Sequence, residues 1–114
     1  MDIKITKDAD VLICLLYKQY CQQRKDGVPK LQSKLFGSSI EVQKSIAPKW
    51  TPEEVDETCR ELDRAGLIEC LYAENIVYEF YLSDTGIIYM ENRFQDGLNS
   101  VLDYLGKIRN LLPF

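Results

Sequence analysis

Leu62-Asp63-Arg64-Ala65-Gly66-Leu67-Ile68-Glu69 and, shortly after it, Tyr81-Leu82-Ser83-Asp84-Thr85-Gly86 frame the middle of this 114-residue chain. In the first stretch a helical pattern runs into Gly66, and Leu67 and Ile68 return to the core at once. Glycine is the residue that accepts the left-handed backbone wanted at a helix end. In the second stretch Leu82 closes a strand, and the Ser83 hydroxyl can cap a new helix beginning near Asp84. Between them Ile68, Cys70 and Tyr72 alternate toward one face, and Ile76, Tyr78, Phe80 and Leu82 toward one face of a second run. Only about Glu74-Asn75 separates the runs, which predicts a tight antiparallel hairpin.

Upstream, Thr51-Pro52-Glu53-Glu54 is a strong helix start. Thr51 serves as N-cap, Pro52 takes the first helical position, and Glu54 at the third can close a capping box. Val55, Cys59 and Leu62 form its inward stripe. Before it, Ser38 or Ser39 caps a short helix over 40–47, with Ile40, Val42 and Ile46 as inward candidates, and Pro48-Lys49-Trp50 ends that helix. Val28-Pro29 reads as extended and Phe36-Gly37-Ser38 as a turn. Asp8 or Asp10 caps a first helix over about residues 9–24. Its Val11–Tyr17 segment is apolar around the whole circumference, so its own core covers one side and the other needs a second cover. Residues 2–7, with Ile3 and Ile5 on one side, form a short strand or an extended arm.

Downstream, Ile87, Met90 and Phe94 face inward on a helix that Asp96-Gly97 interrupts. Leu98, Val101, Leu105, Ile108 and Leu112 then follow at heptad spacing, widened by Leu102 and Leu111. A stripe that wide must be buried, either on the chain's own core or against a second copy. The pattern favours a homodimer in which this helix and the first one take part.

The order is helix, helix, turn, helix, two-stranded hairpin, helix. It is that of a winged helix-turn-helix domain. The two framing stretches resemble the junction between recognition helix and wing, and the end of the wing, in bacterial regulators of the MarR and PadR type; the likeness covers residues 40–95. It implies a mainly α fold with a small β-hairpin, of the α+β class. Residues 1–95 would form the winged domain, and 96–114 a C-terminal dimerisation helix. It also implies a homodimeric transcription regulator that binds double-stranded DNA, with the helix from Thr51 in the major groove and the hairpin at the adjacent backbone or minor groove. The candidate contact residues are Lys44, Lys49, Trp50, Thr51, Glu54, Glu57 and Arg60. The dimerisation candidates are Leu98, Val101, Leu102, Leu105, Ile108 and Leu112. Trp50 has two readings, a packed staple at the helix start or a base-stacking residue.

The charge map argues with that expectation. Residues 1–50 hold nine basic and five acidic groups, residues 51–64 two and six, and residues 65–114 three and seven, which together give the net −4. The would-be recognition helix is therefore acidic, and no Lys or Arg occurs from Ala65 to Asn92. Phosphate binding needs cations, and Lys44 and Lys49 are the ones beside the turn before that helix. Acids in a first helical turn are also explained by the helix dipole, but a hairpin without a cation is not. The alternative is an interaction module whose acidic helix face docks a basic protein surface.

Other classes fall away. The chain has no histidine, which removes the commonest general base and metal ligand. Cys14, Cys21, Cys59 and Cys70 form no CxxC pair, so they read as reduced, buried side chains, neither a zinc site nor a disulfide framework. No catalytic grouping, metal or cofactor is expected. The N-terminus lacks a signal-peptide core, and the longest apolar run is seven residues, so the expectation is a cytoplasmic protein that does not engage a membrane.

Overall fold

The computed structural model describes residues 2–114. Among them the elements run α1 (Lys7–Lys25), α2 (Lys30–Lys34), β1 (Leu35–Phe36), α3 (Ser39–Ser45), α4 (Pro52–Arg64), β2 (Ile68–Ala73), β3 (Ile76–Leu82), α5 (Asp84–Arg93) and α6 (Leu98–Ile108). The class is α+β, with one antiparallel sheet of order β1-β3-β2. No helix of the described residues is long and apolar enough to cross a membrane.

The two framing stretches dock on each other. Ser83 Oγ donates to the Gly66 carbonyl at 2.6 Å and accepts from the Gly86 N–H at 2.9 Å, and the Ser83 N–H donates to the Leu67 carbonyl at 3.1 Å. Gly66 has φ +80°, a conformation that suits glycine. Gly86 is needed for space: a Cβ there would lie 2.1 Å from the Leu67 carbonyl oxygen. The clasp holds the end of α4, the end of β3 and the start of α5 together, and Leu62, Leu67, Ile68 and Leu82 are fully buried around it.

Local caps set the helix starts. Thr51 and Glu54 form a capping box on α4, and Ser38 and Glu41 form another on α3. The inward face of α3 differs from the one expected. Ser39 and Val42 face inward, Ile46 is half-buried, and Ile40 is 39% exposed. The α1 cap is Thr6, whose hydroxyl accepts from the Ala9 N–H, and Asp8 and Asp10 lie inside the first turn. Residues 2–6 form no strand; Ile3 and Ile5 are half-buried against the core.

The hairpin turns at Glu74 and Asn75, both with positive φ, which matches the twist of the flanking strands. Its register departs from simple alternation. Leu71 pairs with Glu79 but Tyr72 pairs with Val77, so Tyr78 is an extra residue in β3. Such a bulge reverses the side-chain alternation beyond it. Val77 is therefore fully buried, and Tyr78, expected inward, is 62% exposed. The short α2 and the two-residue β1, absent from the sequence expectation, follow the extended Val28-Pro29, and β1 takes in Phe36, expected in a turn. Phe36 pairs with Phe80 on β3, and their rings stack at 5.2 Å.

The second cover of α1 comes from its own chain. Ala9, Val11–Tyr17 and Tyr20 are buried beneath α2, α4, α5 and α6. On α6, Val101 and Leu105 are buried in the same contact, Leu98 and Ile108 are half-buried, and Leu102 is 45% exposed; Leu112, expected on the same helix, is half-buried beyond its end. Val101 and Leu105, expected at a dimer seam, are thus core residues of the single chain. The radius of gyration, 13.1 Å, agrees: it is the ~13 Å of a single domain of this length, with no projecting helix. Asp10 fastens the arrangement. Its carboxylate accepts a paired hydrogen bond from Arg93 of α5 and one from Tyr104 Oη of α6 at 2.6 Å.

Two outcomes follow from this packing. Gly86→Ala should cost about 3 kcal/mol, since the added methyl has only backbone to displace. Leu105→Ala should cost about 3 kcal/mol as well. For both, chemical denaturation at one fixed protein concentration should show the loss as a lower midpoint.

Candidate functional site

The residues singled out by sequence lie on α3, α4, the turn between them and the hairpin tip, and most already have work within the chain. Thr51 Oγ1 accepts from the Glu54 N–H at 3.1 Å, and Glu54 Oε1 accepts from the Thr51 N–H at 2.9 Å. These contacts hold the Glu54 carboxyl below its usual range. Trp50 is half-buried against the core, and its indole N–H donates to the Pro113 carbonyl at 2.9 Å. It packs on the core and is tied to the C-terminal tail. Arg60 donates through Nε to Asp56 at 2.7 Å and through an amino group to the Asn75 carbonyl at 2.8 Å, with its guanidinium 4.9 Å from the centre of the Tyr72 ring. It pins the hairpin tip to α4.

Asp56 is the junction that sequence reading missed. Its carboxylate accepts from Ser39 Oγ on α3 and from the Val77 N–H on β3, both at 2.7 Å, besides Arg60. Burial raises its pKa, but the bonds from Val77, Arg60 and Ser39 outweigh that, and the net shift is downward. The i,i+4 spacing to Arg60 was a signal for that one pair. Nothing local announced Ser39 or Val77.

Two further acids of α4 are engaged. Glu61 accepts from the Thr6 N–H and hydroxyl, both at 2.7 Å, and Asp63 accepts from Tyr72 Oη at 2.5 Å. Four of the six acids on this helix therefore have structural partners. Glu53 and Glu57 stand exposed and unpaired among the described residues, as do Lys44 and Lys49 at the preceding turn. Glu53 and Glu57 border a depression of about 290 Å³ between α3, α4 and the hairpin tip, with Ile40, Pro52 and Ile76 as its apolar part.

The chain matches no known protein family, curated protein or solved structure. What it presents must be read from its own surfaces. On the outer face of the sheet Leu35, Tyr81 and Glu69 lie in one row, with Leu71 and Glu79 in the next. Leu35 and Leu71 are each about half exposed and Tyr81 is 36% exposed. The cysteines offer little reactivity. All four are free, and burial pushes the Cys14 and Cys70 thiols up to about 12, leaving them protonated near neutral pH.

Asp56 gives this region its acid sensitivity. A carboxyl held below its unfolded value stabilises the fold above that value and loses the contribution as pH falls through the folded one. Stability should therefore decline below about pH 4. Asp56→Ala should lower stability by about 3 kcal/mol at neutral pH, by leaving Ser39 and the Val77 N–H unpaired. It should also flatten the acid limb, as urea denaturation from pH 7 to pH 2 would show.

Proposed function

We propose that this protein is a winged-helix module of the regulatory type that works by protein contact, with α3 and α4 as the helix-turn-helix and β2 and β3 as the wing. The observation that carries the reading is the depression beside α4. An apolar floor with Glu53 and Glu57 at its edge suits a lysine or arginine side chain, whose aliphatic stem and charged head ask for that pair of environments. The exposed Leu35, Leu71 and Tyr81 support it, because a cluster of large apolar side chains on a sheet face favours a protein partner over phosphates. The wing has no cation from Ala65 to Asn92 to offer a DNA backbone.

A DNA-binding regulator is the second reading, favoured by Lys44 and Lys49, which are exposed and unpaired beside the start of α4. A homodimer belongs to both readings as a proposal. With Val101 and Leu105 already buried in the chain, a second copy would meet Leu102 and Leu111.

Titration against a mixed-sequence DNA duplex and against a Lys/Arg-rich peptide separates the readings. At about 50 mM salt the duplex should show no binding. The peptide should bind, and Glu53→Gln with Glu57→Gln should weaken it at least fivefold. Micromolar duplex binding that falls steeply with salt and is lost in Lys44→Gln with Lys49→Gln would replace this reading with the DNA-binding one.

A further inference from the structure

A roomy cleft lies away from α4, between the two ends of the chain. Its volume is about 800 Å³, within the roughly 300–1,000 Å³ of small-molecule sites. One wall is the N-terminal arm with Ile3 and Ile5, and the other carries Ile108 of α6 with Leu111 and Leu112 of the tail. Ile3, Ile5, Ile108, Leu111 and Leu112 face one another across it, with Tyr89 and Tyr104 among the remaining lining, and such a surface suits an alkyl body. Leu111 is 79% exposed at the edge, an apolar side chain with nothing covering it.

The polar groups lining this cleft lean to one sign. Asp10 is the only acid among the lining residues, and its carboxylate is taken by Arg93 and Tyr104. Arg93 spends two of a guanidinium's five N–H donors on that pair. Lys4 and Lys7 are exposed and have no ion-pair partner among the described residues. The cleft thus has uncompensated positive charge beside aliphatic walls.

Both walls are tethered to the α4 region. The arm is bonded through Thr6 to Glu61 of α4, and the tail through the Pro113 carbonyl to the Trp50 indole, next to the α4 cap.

We propose that this cleft binds a small amphipathic anion, an alkyl chain bearing a carboxylate, and that its occupancy is felt at Trp50. The carboxylate lies toward Lys4 and Lys7, and the chain lies between Ile3, Ile5, Ile108 and Leu111. This site does not depend on whether α4 meets protein or DNA.

Decanoate below its micellar concentration is the probe, with decanol and decyltrimethylammonium as controls, read by calorimetry and by the emission of Trp50, the chain's single tryptophan. Decanoate should bind saturably with one site and change Trp50 emission. Lys4→Gln with Lys7→Gln should weaken it at least fivefold while leaving decanol unchanged. Leu111→Glu, at a position exposed enough to leave the fold intact, should weaken it at least tenfold. No heat with decanoate up to 1 mM, on the order of the weakest useful ligand affinity, overturns the site. So does equal binding of the cationic control, an unchanged affinity in Leu111→Glu, or binding only to anionic lipid vesicles. Saturable heat without a change in Trp50 emission overturns the coupling to Trp50.

Discussion

Gly86 has no room for a side chain because the Leu67 carbonyl oxygen stands where its Cβ would be. Most of the molecule depends on that close approach. It lets Ser83 reach both Gly66 and Leu67, so the helix before the hairpin and the helix after it share one small polar clasp inside an apolar surround. With the two ends of the hairpin held there, β2 and β3 leave the core in a fixed direction. Asp56, three turns back along α4, receives the Val77 N–H near the far end. The hairpin is thus anchored twice against one helix, at its base through backbone proximity and toward its tip through a carboxylate.

The second anchor changes how the charge on α4 is understood. By count, the helix has six acids and two arginines and looks like a surface that repels nucleic acid. In the folded chain Glu54 caps it, Asp56 joins it to α3 and β3, Glu61 holds the N-terminal arm, and Asp63 holds Tyr72. The acids are mostly joints. The charge left to meet a partner is Glu53, Glu57 and Arg64 on the helix, Lys44 in the last turn of α3 and Lys49 on the turn between them. The same kind of bonding joins the chain ends to α4, through Thr6 and through Trp50.

Much of the fold was legible because its signals are local. The capping box at Thr51, a serine cap at Ser38 or Ser39, Gly66 at a helix end and the two-residue hairpin turn each act within a few residues, where sequence spacing and spatial distance are the same thing. The misreadings have a common cause. Tyr78 faces solvent because a bulge at β3 reverses the alternation. Ile40 is exposed because Ser39 and Val42 take the inward face of its helix. β1 forms only because Phe36 finds Phe80, a pairing no two-residue stretch announces.

By itself the sequence determined the starts of α4 and α5, the hairpin, the absence of histidine and the uneven distribution of charge. These follow from residue type and short-range spacing. Only the tertiary structure decided what covers the first helix and which charged groups remain unpaired. The seam on α6 predicts burial equally well against a second copy or against α1, since periodicity names a face and not its partner. Asp10 and Tyr104, 94 residues apart, settle the burial in favour of the same chain, and Asp56 and Val77, 21 residues apart, decide which of the α4 charges are already satisfied.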